Sequence, residues 1–181
     1  MDPFNPNITI ETDRLILRTL KESDAGDIFV NINHDKDVLK YFIDRYVDCL
    51  EEMNLGRTIE YCRQAKRYLL AIELKSSHKA VGIILQCSTQ DHIFNSTEIG
   101  FAIGKAYWNQ GYTSEAVKSF IRFLFSKGIH KVFASHIIGN DASGKVMKKC
   151  GMTYEGRRIH ELYYHDQCHD VDCYYILNPN S

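Results

Sequence analysis

The chain has 181 residues, 44% of them hydrophobic and 25% charged, enough for a single domain over residues 1–181 whose core is stable without metals or disulfides. Its 22 basic and 23 acidic residues leave a net charge of -1, so no global field draws it onto nucleic acid or an acidic membrane. The start, Met1 to Asn7, lacks the basic and apolar regions of a signal peptide, and no apolar run approaches the ~20 residues of a membrane span. Six scattered cysteines (Cys49, Cys62, Cys87, Cys150, Cys168, Cys173) in a chain with these features read as reduced thiols of a cytoplasmic protein.

In chain order, Ile8 to Thr19 alternates apolar and polar residues as one strand, and Ser23-Asp24 caps a helix. Helical spacing runs from about Ala25 to Asn33 and from about Lys36 to Phe42, and a third helical segment spans Val47 to Arg67 with Gly56 interrupting it. Tyr68 to Leu74 and Ala80 to Gln86 form an antiparallel hairpin around Lys75-Ser-Ser-His-Lys79. Ser96 to Gly104 is the next strand. A helix begins near Thr113, with Val117, Phe120, Ile121, Leu124 and Phe125 on one face and Lys127-Gly128 at its end. Val132 to Ile138 is a strand, Asn140 to Cys150 a short helix, and Met152 to Arg158, Glu161 to His165 and Cys168 to Leu177 three more strands.

The passage from Glu98 to Ala116 carries the most chemistry. A strand opens through a loop at Gly111 into a helix N-terminus, where several backbone N–H groups lack partners and glycine lets an anion approach closely. One strand later, Asn140-Asp-Ala-Ser-Gly-Lys-Val-Met-Lys-Lys-Cys-Gly-Met152 supplies a second element.

On these residues the chain resembles the GCN5-related N-acetyltransferase (GNAT) superfamily, and within it the RimJ/RimL-like ribosomal-protein-alanine N-acetyltransferase branch. The resemblance starts at Thr12-Asp-Arg-Leu-Ile-Leu-Arg18. It continues through Glu98-Ile-Gly-Phe101, Tyr107-Trp-Asn-Gln-Gly-Tyr-Thr-Ser-Glu-Ala116, Asn140-x-x-Ser143 and Lys149-x-Gly-Met152, and ends at His169-Asp-Val-x-x-Tyr174-x-x-Leu177. It implies an α/β (α+β) acyl-CoA N-acyltransferase fold: a mixed, mostly antiparallel seven-stranded sheet, splayed between its fourth and fifth strands and flanked by about four helices. It also implies acetyl-CoA as cosubstrate, bound by Gln110, Gly111, Tyr112, Thr113 and Ser114 at its pyrophosphate. The backbone of Phe101 and Ile103 would pair with the pantetheine arm, and Asn140 would bond its amides or hold the loop.

The reaction is direct attack of an amine on the thioester. An α-amino group of pKa about 8 is about one-tenth neutral at pH 7, whereas a lysine amine near 10.4 is neutral about once in a few thousand molecules. An N-terminal acceptor therefore needs less help from a base. Glu98 is the candidate base, against the alternative of an exposed strand-edge glutamate. Relatives place a tyrosine acid where this chain has Met147, which has no proton to give. Ser143, about one helical turn from Asn140, is then the candidate donor to the departing thiolate, against the alternative of an ordinary polar residue in a helix's first turn.

Trp108, Asn109 and Thr113 depart from the commoner family residues, and Thr113 could instead cap its helix. Acceptors open at this point are a protein N-terminus, a small amine or polyamine, and an antibiotic, with a non-catalytic acetyl-CoA sensor as the alternative from another class. The acidic residues Asp24, Asp27, Asp35, Asp37, Asp44, Asp48, Glu51 and Glu52 suit a cationic amine or a solvated helix face. The cluster His160, His165, Cys168, His169 and Cys173 has metal-ligand types, but strand alternation sends Cys168 and His169 to opposite faces, so no metal is expected. No nucleic-acid or membrane partner is expected, and the protein is a monomer or homodimer.

Overall fold

Apolar residues on successive positions of a strand need cover on both faces, and the central strands here have it. The computed structural model describes residues 7–42, 44, 46–87, 95–164 and 166–180. Its strands are β1 (Thr9–Glu11), β2 (Leu15–Thr19), β3 (Leu69–Leu74), β4 (Ala80–Gln86), β5 (Ser96–Ile103), β6 (Lys131–Ile137), β7 (Thr153–Tyr164) and β8 (Gln167–Leu177). They form one sheet in the order β1-β2-β3-β4-β5-β6-β8-β7, antiparallel throughout except between β5 and β6. The helices are α1 (Ala25–Ile28), α2 (Lys36–Leu39), α3 (Leu55–Gln64), α4 (Tyr112–Ser126) and α5 (Asp141–Lys149).

Period-two alternation divides the side chains between two cores. Leu70 and Ile72 of β3 join Leu15, Leu17, Val81, Ile99 and Val132 in the core that includes Val117, Phe120 and Leu124 of α4 and Met147 of α5. Leu69 and Ala71 of the same strand join Ile83, Ala102, Ile28, Ile32, Leu39, Leu55 and Cys62 in the core that covers the other face. A third, smaller group, Ile137, Val171 and Cys173, packs against Tyr41, Leu162 and Tyr164.

Four expectations need correction. The first strand is two: Thr12 breaks it, its backbone N–H donating to the Leu15 carbonyl (3.0 Å) and its hydroxyl oxygen accepting from the Leu15 N–H (2.9 Å). The sheet has eight strands rather than the seven the resemblance implied, and the splay falls between its fifth and sixth members. Gly56 does not interrupt a long helix; it lies in the first turn of α3, capped by Asn54, whose side chain accepts from the Arg57 N–H. Met152 to Arg158 and Glu161 to His165 are not two strands either. The described part is one edge strand, β7, with a bulge between Arg158 and Leu162, where His160 takes a positive φ of 50° and its N–H bonds the Asp170 carboxylate.

Candidate active site

β5 and β6 run parallel and pair only at Ser96, Thr97 and Glu98, opposite Lys131, Val132 and Phe133. Beyond Glu98 the two strands part. Glu98 carbonyl accepts from the Cys87 N–H and the Gly104 N–H donates to the Val81 carbonyl, both at 2.8 Å, so even-numbered residues of β5 turn their backbone groups toward β4. Alternation then turns those of Ile99, Phe101 and Ile103 into the gap, which places the two expected residues, and adds Ile99. The Ile103 carbonyl is already bonded by the Trp108 indole N–H at 2.9 Å, which leaves its N–H as the group facing the gap.

Glu98 is the last paired residue, at the apex of the parting. Its Oε1 accepts from the Ser135 hydroxyl of β6 at 3.1 Å. Burial pushes its carboxyl above the ordinary range; the Ser135 hydrogen bond and the Arg158 charge pull it back, and Glu161 adds to the rise. Directly across from Ser135 on β8 lies Cys173. Ser135 was not apparent from the sequence; the only signal was a polar residue among the apolar positions of β6.

The turn expected to receive an anion precedes α4. Gly111, the N-cap, has φ +82° and no side chain caps the helix, so Thr113 is not a cap but a residue of the first turn. The expected capping alternative fails because the helix starts one residue before it. The first intrahelical backbone bond is from the Glu115 N–H to the Gly111 carbonyl, so the amides of Tyr112, Thr113 and Ser114 have no partner within the helix. Gln110 donates its side-chain amide to the Ala106 carbonyl and offers its own carbonyl to Arg14.

On the far side of the gap, Asn140 is the N-cap of α5, its Oδ1 accepting from the Ser143 N–H at 3.4 Å. Asn140 therefore holds this helix start, and Ser143 sits in the first turn, half-buried. Gly144 is needed beneath it: a Cβ there would lie 2.8 Å from His136 Nε2. Met147 is 1% exposed in the core with Val132, Cys150 and Tyr174, so it packs rather than lines the gap.

The acidic residues near the first helices are largely committed to protein partners. Asp24 pairs with Arg18, Asp27 accepts from Lys79 and the Ala80 N–H, Asp35 caps α2, and Asp37 pairs with Lys105. Tyr164 instead closes this side, its hydroxyl reaching the carbonyls of Leu39 (3.1 Å) and Phe42 (3.2 Å). Among the described residues no three ligating side chains converge on a metal position. His169 Nε2 is 2.9 Å from the Tyr164 carbonyl, His160 lies in the β7 bulge, and His165 falls outside the described residues. All six cysteines are free thiols. No helix among the described residues is long and apolar enough to cross a membrane.

A mixed sheet whose only parallel pair among the described residues parts beside a glycine-capped helix is the architecture of an acyl-CoA N-acyltransferase. Residues 14–153 match the family model of the acetyltransferase (GNAT) domain, and the chain belongs to this family of acetyl-CoA-dependent N-acetyltransferases. It is 28% identical over 175 residues to the uncharacterized N-acetyltransferase YoaA of Bacillus subtilis, covering 95% of this chain and 98% of the relative. It is 22% identical over 157 residues to the ribosomal protein uS5-alanine N-acetyltransferase of Escherichia coli, covering 83% and 81% of the two chains. The crystal structure of a GNAT-family acetyltransferase from Bacillus anthracis superposes with a TM-score of 0.81 at 26% identity, covering 94% of this chain and 99% of that one.

Proposed function

We propose that this enzyme acetylates a protein N-terminal α-amine, with Glu98 as the base and Ser143 as the proton donor. The observation that carries the reading is Glu98 itself: a half-buried carboxylate at the point where β5 and β6 part, held by Ser135, with its pKa raised toward the working range of a base. The gap-facing backbone of Ile99, Phe101 and Ile103 would hold the pantetheine arm as an added strand. The amides of Gly111, Tyr112, Thr113 and Ser114 would hold the pyrophosphate. Asn140 fixes the start of α5, so that Ser143 presents its hydroxyl from the first turn toward the leaving sulfur.

Glu98 removes the proton from the attacking amine. An α-amine of pKa about 8 needs that carboxylate only for the last proton, which one base can supply, whereas a lysine amine is roughly two to three pKa units further from neutrality. Of the acidic side chains that would attract a polycation, Asp24, Asp27, Asp35 and Asp37 are spent on Arg18, Lys79, Lys105 and backbone amides. Similarity to the uS5-alanine enzyme supports the same acceptor class.

The test is coenzyme A release across a panel: a peptide with a free N-terminal alanine, the same peptide N-terminally blocked but carrying a lysine, spermidine, and an aminoglycoside. The free peptide is expected to give the highest kcat/KM. Preference for the blocked peptide, spermidine or the aminoglycoside would overturn the acceptor assignment, and acetyl-CoA binding without turnover on any amine would make the protein a sensor.

A further inference from the structure

The Thr12-Asp-Arg14 segment opens the stretch on which the family resemblance rests, yet it belongs to neither of the strands that part, β5 and β6. Its partners are on α4. Glu115, in the first turn of that helix, accepts at Oε1 from the Thr12 hydroxyl (2.6 Å) and the Arg14 backbone N–H (2.9 Å), and at Oε2 from Arg14 Nε and Nη2 (both 2.7 Å). Arg14 Nη1 donates to the Gln110 carbonyl at 3.0 Å, and the guanidinium lies 4.3 Å from the centre of the Tyr112 ring. A Cβ on Gly111 would stand 3.4 Å from Arg14 Nη2.

We propose that Arg14 is a positioning residue for the pyrophosphate turn: it locks residues 110–112 in place and neutralises Glu115, which would otherwise repel the anion. This rests on the reading that the turn before α4 holds the acetyl-CoA pyrophosphate. A planar guanidinium suits the task because its fork serves a carboxylate and a carbonyl at once while its face stacks on Tyr112. The charge argument is separate from the geometric one. Negative charge in the first turn of a helix is favourable to the helix, but here it stands beside the amides that must receive phosphate, and two anions cannot share that end cheaply. Burial raises the Glu115 carboxyl, but the Thr12 and Arg14 hydrogen bonds outweigh this and hold it below the ordinary range, so it is ionised at pH 7 and needs the cation.

The experiment compares acetyl-CoA with S-acetylpantetheine, which ends before the pyrophosphate, in wild type, Arg14→Ala and the double variant Arg14→Ala with Glu115→Gln. Binding of acetyl-CoA is read by calorimetry and turnover by thiol release. In Arg14→Ala, the KM and Kd for acetyl-CoA should rise about tenfold, as loss of charge-assisted hydrogen bonds predicts, while kcat holds and the KM for acetylpantetheine changes by less than about twofold. The double variant should recover part of the loss, because the uncompensated carboxylate is gone. Equal loss on both thioesters, an unchanged KM for acetyl-CoA, or no recovery in the double variant would overturn the proposal. Wild type that fails to bind acetyl-CoA at all would instead overturn the reading of the turn on which it rests.

Discussion

Ser135→Ala removes the hydroxyl that donates to Glu98 Oε1 across the parting strands. Burial, with a smaller contribution from Glu161, drives that carboxyl upward, and the hydrogen bond is the first of the effects that restrain it. A hydrogen bond to a charged group contributes about 1.5–3 kcal/mol, which is about one to two pKa units when only the ionised form is favoured. The raised group must lose its proton to act as a base, so raising it further moves the acid limb of activity to higher pH. The acceptor amine gives log kcat/KM a slope of one below its own pKa of about 8, and protonation of Glu98 adds a second unit of slope below the pKa of that carboxyl. In Ser135→Ala the break between the two slopes should move up by about one pH unit, leaving the rate at pH 8 nearly unchanged and lowering it about tenfold below both breaks. The assay is kcat/KM for the peptide between pH 5 and 9 with acetyl-CoA saturating. A break that stays in place, or one that persists in Glu98→Gln, would refute Glu98 as the titrating base.

Three further outcomes are expected. Ser143→Ala should lower kcat with little change in acetyl-CoA affinity, and an unaltered kcat would remove the hydroxyl from the mechanism. Gly111→Ala forces a Cβ into the left-handed region at φ +82°, costing about 1–2 kcal/mol there, and should weaken acetyl-CoA binding measured by calorimetry; unchanged affinity would mean the turn does not receive the phosphates. Arg18 holds Asp24 through Nη1 (2.8 Å) and Nη2 (2.7 Å), and Glu73 through Nε, in a largely buried network. Arg18→Met would leave Asp24 without its guanidinium partner and Glu73 with only His78 beside it, at a cost of about 3–5 kcal/mol, read as a shift in urea midpoint at pH 7. For both carboxyls burial works upward but the hydrogen bonds win, so their folded pKa values are depressed: they stabilise the fold above about pH 4 and that contribution is lost as pH falls through the folded values. The deficit of Arg18→Met should therefore shrink at acid pH, and a pH-independent deficit would contradict the network.

Local rules carried far in this chain because they depend on neighbours in sequence. The β3–β4 hairpin around Lys75 to Lys79, the amphipathic α4 and the glycine-led helix start at Gly111 follow from alternation, helical period and backbone freedom, and all three stand in the structure. Glu98 and the backbone of Phe101 and Ile103 came from the family resemblance rather than from the strand pattern, and the register of β5 against β4 and β6 turns that backbone into the gap. Where side chains from distant segments compete for the same group, the pattern gave no warning. Thr12 ends β1 because its hydrogen bonds to Leu15, and to Glu115 of α4, outweigh the alternation that reads straight through it. Asp24 and its neighbours look like an acidic acceptor surface until Arg18, Lys79 and Lys105 are brought beside them.

By itself, then, the sequence determined most of the helices and strands and the glycine-led start of α4, since periodicity and glycine act over a few residues, while the family resemblance pointed to Glu98 and to an anion at that turn. Only the tertiary structure decided that Ser135 donates to Glu98, that Met147 belongs to the core, and that Arg14, just before β2, joins Gln110 and Glu115 at the start of α4. Glu98 with Ser135 and Arg14 with Glu115 are contacts between residues 37 and 101 positions apart, and they exist only once β5, β6 and α4 have packed against one another.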